Sequence, residues 1–313
     1  MNKILDKISK AGIGKAGIAT QPGGRPPVAV EIALEGVLAA ARPAPGQPAV
    51  YAFEALPPGA IEPGIGEPNL RATDLVVAAI RTALGNVSPR TRAVTVVLPD
   101  TAVRVFVLDF EALPAKPIEA LPVLRFRLRK MVPFDVEHAG VSYQILVEKK
   151  GELKVLAAVI PGLILQEYEA AVRAAGYEPG AVLPSSLASL AARESMEAML
   201  TANLSGSALT TSITNGQDLL LYRTLDLPAD EAIRVREIQR GIAVAAAYYE
   251  DKLHLKPMQV YYSGIGGAHS FRRWIDDPEM TVTDLVARPE TGAATSIGDF
   301  SIAGVAGALA GVS

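Results

Sequence analysis

The chain has 313 residues, half of them hydrophobic, which is more than one core usually organises and predicts two or more lobes. A net charge of −3 with acids and bases interspersed excludes a global field that would hold nucleic acid or an anionic membrane. The absence of cysteine removes disulfides, thiolate metal sites and cysteine nucleophiles together.

The N-terminal stretch MNKILDKISKAGIGKAGIAT scatters its apolar residues and lacks the continuous apolar run of a secretory signal. Residues 1–27 read as a short amphipathic segment and a QPGGRPP linker. The segment is either a frayed tail or a helix for a membrane surface or a partner. The final stretch, FSIAGVAGALAGVS, is shorter than the ~20 residues that cross a bilayer. A soluble, cytoplasmic protein is the expectation.

From Val28, the runs VAVEIAL, VLAAARP and AVYAFEAL alternate with Gly and Pro turns and predict an antiparallel meander. LRATDLVVAAIRTALGN follows as a helix with Leu75, Val76, Ala79, Ile80 and Ala83 on one face, stopping at Gly85-Asn86. TRAVTVVLPD and AVRVFVLDF read as strands. VLRFRLRKMV reads as an arginine-rich helix, either a solvated face or a surface for an acidic partner, before the turn MVPFDVE. GVSYQILVE and ELKVLAAVIP form a hairpin around KKG. GLILQEYEAAVRAAGY predicts a helix with Leu163, Tyr168, Ala171, Val172 and Ala175 near one face, and PSSLASLAARESMEAML predicts another.

The second half repeats the theme. SALTTSIT and DLLLYRTLDL flank Asn215-Gly216, a strong hairpin signal, and ADEAIRVREIQRGIAVAAAYYEDKL is a long helix. The strand Met258 to Tyr262 then runs into YYSGIGGAHSFRRW, where Gly264, Gly266 and Gly267 serve either a nucleotide loop or a strand-to-helix turn. Two halves of hairpin strands feeding helices predict a duplicated α/β core, with an insertion from about Ala93 to Gly176.

Catalytic motifs are missing. His138, His254 and His269 have no ligand-spaced partner, no G-x-S-x-G elbow occurs, and GIGKAG fails as a phosphate loop because Ala16 follows the lysine where a hydroxyl is needed.

In order, the pieces resemble the PilM family, actin-like cytoplasmic proteins of type IV pilus assembly related to FtsA. KMVPFDVEHAGVSYQIL resembles the family's helix end, proline-aromatic-acid turn and following strand. VTVVLPDTAVRVFVLDF resembles the paired strands that open its inserted subdomain. LKVLAAVIPGLILQEYEAAVRAAGYEPGAVLPSSLASL resembles the strand, helix and turn that close it, and YYSGIGG resembles the adenosine-side glycine loop. The resemblance covers Val28 to the C-terminus.

It implies an actin-like, duplicated ribonuclease H-like two-lobe α/β fold with an inserted α+β subdomain. The first lobe would take residues 28–92 and 177–200, the insert 93–176 and the second lobe 201–313. In such proteins one hairpin from each lobe cradles the phosphates of a magnesium-bound nucleotide. Both hairpins depart from the pattern. EIALEGVL, Glu31 to Leu38, stands for D-I-G-x-S-S-V-K, and a second carboxylate at Glu35 would repel a triphosphate by about 1 kcal/mol or more. NLSGSALT, Asn203 to Thr210, stands for D-I-G-x-x-x-T, with neutral Asn203 for the acid and Ser205, Gly206 and Ser207 as phosphate neighbours. The resemblance therefore implies a degenerate site, Glu31, Asn203, Ser205, Gly206, Ser207, Gly264, Gly266 and Gly267, that binds ATP and magnesium weakly or not at all.

The partner it implies is the cytoplasmic N-terminal tail of a PilN-like inner-membrane protein. That tail would lie in a groove between the first lobe and the insert, within about Val94 to Val159. The chain would be a scaffold held at the inner membrane through partners, with a homo-oligomer left open and no nucleic-acid role. An active actin-like ATPase or sugar kinase, and a type II secretion component of the same fold, are the alternatives. A kinase needs acids at both hairpins, and the secretion component a transmembrane segment after the core.

Overall fold

The computed structural model describes residues 25–44, 46–149, 151–287 and 297–310. The amphipathic reading of the first residues therefore lies outside the described residues.

Two five-stranded sheets have the same topology. In the first, β1 (Val28–Ala33), β2 (Gly36–Ala41) and β3 (Val50–Ala55) form the antiparallel meander, and β4 (Ala93–Leu98) and β8 (Glu178–Pro184) extend it in parallel, in the order β3-β2-β1-β4-β8. In the second, β9 (Ala198–Ser205), β10 (Ala208–Asn215) and β11 (Asp218–Asp226) form the meander, and β12 (Gln259–Gly264) and β13 (Thr281–Asp284) run parallel beside β9, in the order β11-β10-β9-β12-β13. Each meander feeds a helix into its first parallel strand: α1 (Thr73–Asn86) in one half, α5 (Glu231–Leu253) in the other. Parallel strands need such a crossover, so the repeated order is the duplication itself.

The insert carries β5 (Arg104–Phe110), α2 (Pro117–Leu128), β6 (Gly140–Lys149) and β7 (Glu152–Ile160), its sheet ordered β5-β7-β6. It begins after β4 and not at Ala93. β4, buried from Val94 onward, is paired to β8 along its length and to β1 from Thr95, so the two strands expected to pair, β4 and β5, lie in different sheets. α3 (Gly162–Ala174) likewise belongs to the first lobe's core, with Tyr168 and Val172 packed beside Ile80 and Leu84 of α1.

Other expectations need correction. Leu75 and Leu163 point outward; the buried faces are Val76, Ala79, Ile80, Ala83 and Leu84 on α1, and Ile164, Leu165, Tyr168, Ala171 and Val172 on α3. The long helix expected over 184–200 is only α4 (Ser185–Leu190), and Ala198 onward becomes β9, because pairing to both β10 and β12 overrides the helical propensity of its Met, Leu and Ala. The helix expected behind the glycine loop over His269 to Ile275 is α6 (Gly267–Arg272), which starts two residues and ends three residues earlier.

α7 (Ala303–Ala310), expected in the second lobe, instead packs on β1, β2 and α4, its Val305 and Ala308 in a cluster with Ala29, Leu38 and Leu183. A Cβ at Gly307 would overlap Ala188 O, so the two helices meet backbone to backbone. Arg25 Nη1 donates to Gly307 O at 3.3 Å, binding the segment ahead of β1 to the same helix.

Candidate functional site

The β1–β2 and β9–β10 hairpins face each other across the lobes, and their turns touch. A Cβ at Gly206 would lie 3.1 Å from Leu34 Cδ1, so the leucine of one turn rests on the glycine of the other. Around them Glu31, Glu35, Ser185, Ser189, Asn203, Ser205, Gly206, Gly264, Phe300, Ser301 and Gly304 enclose a cavity of about 30 Å³. That is room for about two waters, whereas sites for drug-sized ligands run to roughly 300–1,000 Å³.

Glu31 is 6% exposed. Its Oε1 accepts from Ser185 Oγ at 2.7 Å, while Oε2 has no hydrogen-bond partner among the described residues and lies against the backbone of Gly304 at the first turn of α7. Burial pushes its pKa up to about 7; the Ser185 bond opposes this, and the charges of Asp100 and Glu35 add to it. Asn203 Nδ2 donates to Ser263 Oγ at 3.0 Å, and its Oδ1 has no hydrogen-bond partner among the described residues. These oxygens do not fit a triphosphate: two carboxylates flank the cavity, and the only lysine or arginine bond to a hairpin turn is Arg234 Nη2 on Gly206 O at 3.1 Å, among the described residues. A nucleotide would need the lobes to part.

Of the predicted residues, the cavity brings together Glu31, Asn203, Ser205, Gly206 and Gly264. Ser207 is exposed and, like Gly266 and Gly267, does not line the space. The glycine loop serves the fold. A Cβ at Gly264 would overlap the Tyr262 hydroxyl, which donates to Ile265 O at 3.0 Å and whose ring stacks on Phe271 at 4.2 Å. Gly266, at φ 77°, makes the left-handed step into α6.

The lobes are tied by a residue that sequence reasoning missed. Asp100, 2% exposed and in the turn after β4, accepts from Ser186 N–H at 3.0 Å and from Thr210 Oγ1 of the second lobe at 2.8 Å, and its own N–H donates to Ser205 Oγ at 3.3 Å. Burial raises its carboxyl pKa. Ser186 also bonds the Tyr222 hydroxyl of β11. The insert joins this seam: Arg104 pairs with Asp226 at 2.9 Å, and Val105 and Val107 pack with Leu187, Leu190 and Tyr222.

A larger cavity, about 700 Å³, opens between the first lobe and the insert. The loop Ile65–Pro68 and the start of α3, with Leu163 and Ile164, form one wall; Phe134, Asp135 and His138 form the other. A Cβ at Gly162 would overlap His138 O, so the insert seats directly on the first turn of α3. Leu163, 82% exposed, stands on the rim. Glu67, Asp135 and Glu167 also line it; Glu167 is held by the N–H groups of Asn69 and Leu70 at 2.7 and 2.9 Å. The groove is apolar with an acidic edge.

No family model matches the sequence, and no curated protein matches it. Among solved structures, a chain of a PilM–PilN type IV pilus biogenesis complex is similar with a TM-score of 0.66 at 18% identity, covering 91% of this chain and 98% of that one. A Bacteroides thetaiotaomicron protein with actin-like ATPase fold and unknown function is similar with a TM-score of 0.50 at 11% identity, covering 82% and 89%. At such identities the likeness speaks for architecture, and on that ground the chain has the two-lobe actin-like fold with an inserted subdomain.

Proposed function

We propose that the protein is a cytoplasmic scaffold of a type IV pilus machine, which binds the N-terminal cytoplasmic tail of a PilN-like inner-membrane protein in the groove between its first lobe and its insert. The single observation that carries the reading is that groove: about 700 Å³, lined by Ile65, Pro68, Phe134, Pro161, Leu163 and Ile164. The PilM resemblance sets a partner's tail between the first lobe and the insert; of the expected stretch Val94 to Val159 only Phe134, Asp135 and His138 line this groove, and its other wall comes from residues outside that stretch.

Its chemistry suits such a ligand. Cytoplasmic tails beside a membrane span are enriched in Lys and Arg, and Glu167, with Glu67 and Asp135 that are shared with Arg71 and His138, gives the apolar floor an acidic edge for them. The nucleotide site is degenerate in this reading, because Glu31, Leu34 and Asp100 occupy or close the space a phosphate needs. Binding of the tail then requires no nucleotide. The test is isothermal titration of the full chain with a synthetic tail peptide from a PilN-like protein. Micromolar binding that Leu163→Asp abolishes supports the reading, and binding left unchanged by that substitution refutes the groove.

A further inference from the structure

α2 is apolar on two opposite faces, and only one of them is used by the fold. Ala120, Leu124 and Leu128 are buried against the insert's sheet, in a cluster with Val155 and Val159. On the other side Ile118, Pro122 and Phe126 recur every four residues, which puts them on one outward stripe. Ile118 is 77% exposed and Phe126 64%, and Val123 and Met131 are exposed as well. Helices apolar on both sides are normally covered on both.

The charge around the stripe says what covers it. Residues 116–131 carry Lys116, Arg125, Arg127, Arg129 and Lys130 against Glu119, a net of +4 in a chain whose total is −3. Arg125 is spent inside the subdomain, with Nη2 donating to Ala139 O at 3.1 Å, and Arg129 pairs with Glu137. Lys130 follows Phe126 at the end of the stripe, its Nζ 6.0 Å from the Phe126 ring centroid, and Arg127 is exposed on the flank beside it.

We propose that this face of α2 rests on a bilayer surface containing anionic lipids. Ile118 and Phe126 enter the headgroup boundary while Arg127 and Lys130 meet lipid phosphates, the pattern of an interfacial helix. The chain's overall charge provides no such attraction; the cations of this one helix do. A second copy is the poorer occupant, since a two-fold contact would set Arg127, Arg129 and Lys130 against their own counterparts. The inference stands apart from the groove reading, because its test contains no partner.

The experiment is flotation of the full chain with phosphatidylglycerol–phosphatidylcholine vesicles and with phosphatidylcholine alone, at low and high salt. The expected result is binding to the anionic vesicles only, weakened by salt, and lost in the Ile118→Ser, Phe126→Ser double variant. Arg127→Gln with Lys130→Gln lowers the partition coefficient about fivefold per cation removed. Should the double serine variant fail to fold, Phe126→Trp in a Trp274→Phe background shows a blue-shifted emission with anionic vesicles. No flotation of the folded protein, undiminished flotation of both variants, an unshifted indole emission from the Phe126→Trp variant, or self-association in lipid-free sedimentation that Phe126→Ser abolishes would each overturn the proposal.

Discussion

Replacing Glu31 by Gln tests the cleft through its most unusual group. The folded pKa, pushed up to about 7, lies above the ordinary value of 4.5, so between those values the folded chain holds a proton the unfolded chain has released. That contribution to stability is whole below pH 4.5 and is lost as the pH rises to about 7. At ~1.4 kcal/mol per pH unit the interval amounts to about 3 kcal/mol. Gln keeps the oxygen that accepts from Ser185 and cannot ionise; the cost of its buried amide is independent of pH. Thermal unfolding of both proteins from pH 4 to pH 8 should therefore diverge by about 3 kcal/mol in favour of Gln, near 2 °C per kcal/mol for a chain this size. Parallel curves, or a variant that loses ground at high pH, would show that Glu31 is not the buried, poorly solvated carboxyl described here.

Three further perturbations follow from the seams of the molecule. Asp100→Ala leaves Ser186 N–H and the Thr210 hydroxyl without their shared carboxylate and should cost about 2–3 kcal/mol, whereas Asp100→Asn, which keeps an acceptor, should cost about 1; equal midpoints for the two in urea unfolding would refute the interlobe tie. Gly307→Ala should destabilise by about 2 kcal/mol, because overlap with Ala188 O outweighs the ~1 kcal/mol helix-propensity gain, and a stabilised variant would mean that α7 does not press on α4. Leu163→Asp, on a rim residue, should leave the unfolding free energy in urea within about 0.5 kcal/mol of the parent while abolishing tail binding; a variant that unfolds early would place Leu163 in the core.

The duplicated core was legible because each meander is local: the Asn215-Gly216 turn and the alternating strands on either side of it fix register within a few residues. Long-range contacts were not. Asp100 follows a strand in an ordinary LPD, and its partners lie 86 and 110 residues away. The groove is assembled from segments near residues 65, 135 and 163, so no window of sequence contains it. Leu163 read as a core residue from its apolar side chain, yet the buried arc of α3 runs through Ile164, Leu165, Tyr168 and Val172 and leaves 163 outside. The glycine loop pointed to a ligand, but Gly264 is required by the Tyr262 hydroxyl beneath it. The start of β9, Ala198 to Leu200, reads as the end of a helix because Met, Leu and Ala favour one, and sheet pairing decides otherwise.

The most direct test of the scaffold reading is to titrate the chain with a PilN-like tail peptide in the presence and absence of Mg-ATP. The same dissociation constant is expected in both, with Leu163→Asp abolishing each. A tail that binds only when Mg-ATP is present would contradict it, since the lobes would then have to open around a nucleotide that Leu34, Glu31 and the Asp100 tie now keep out.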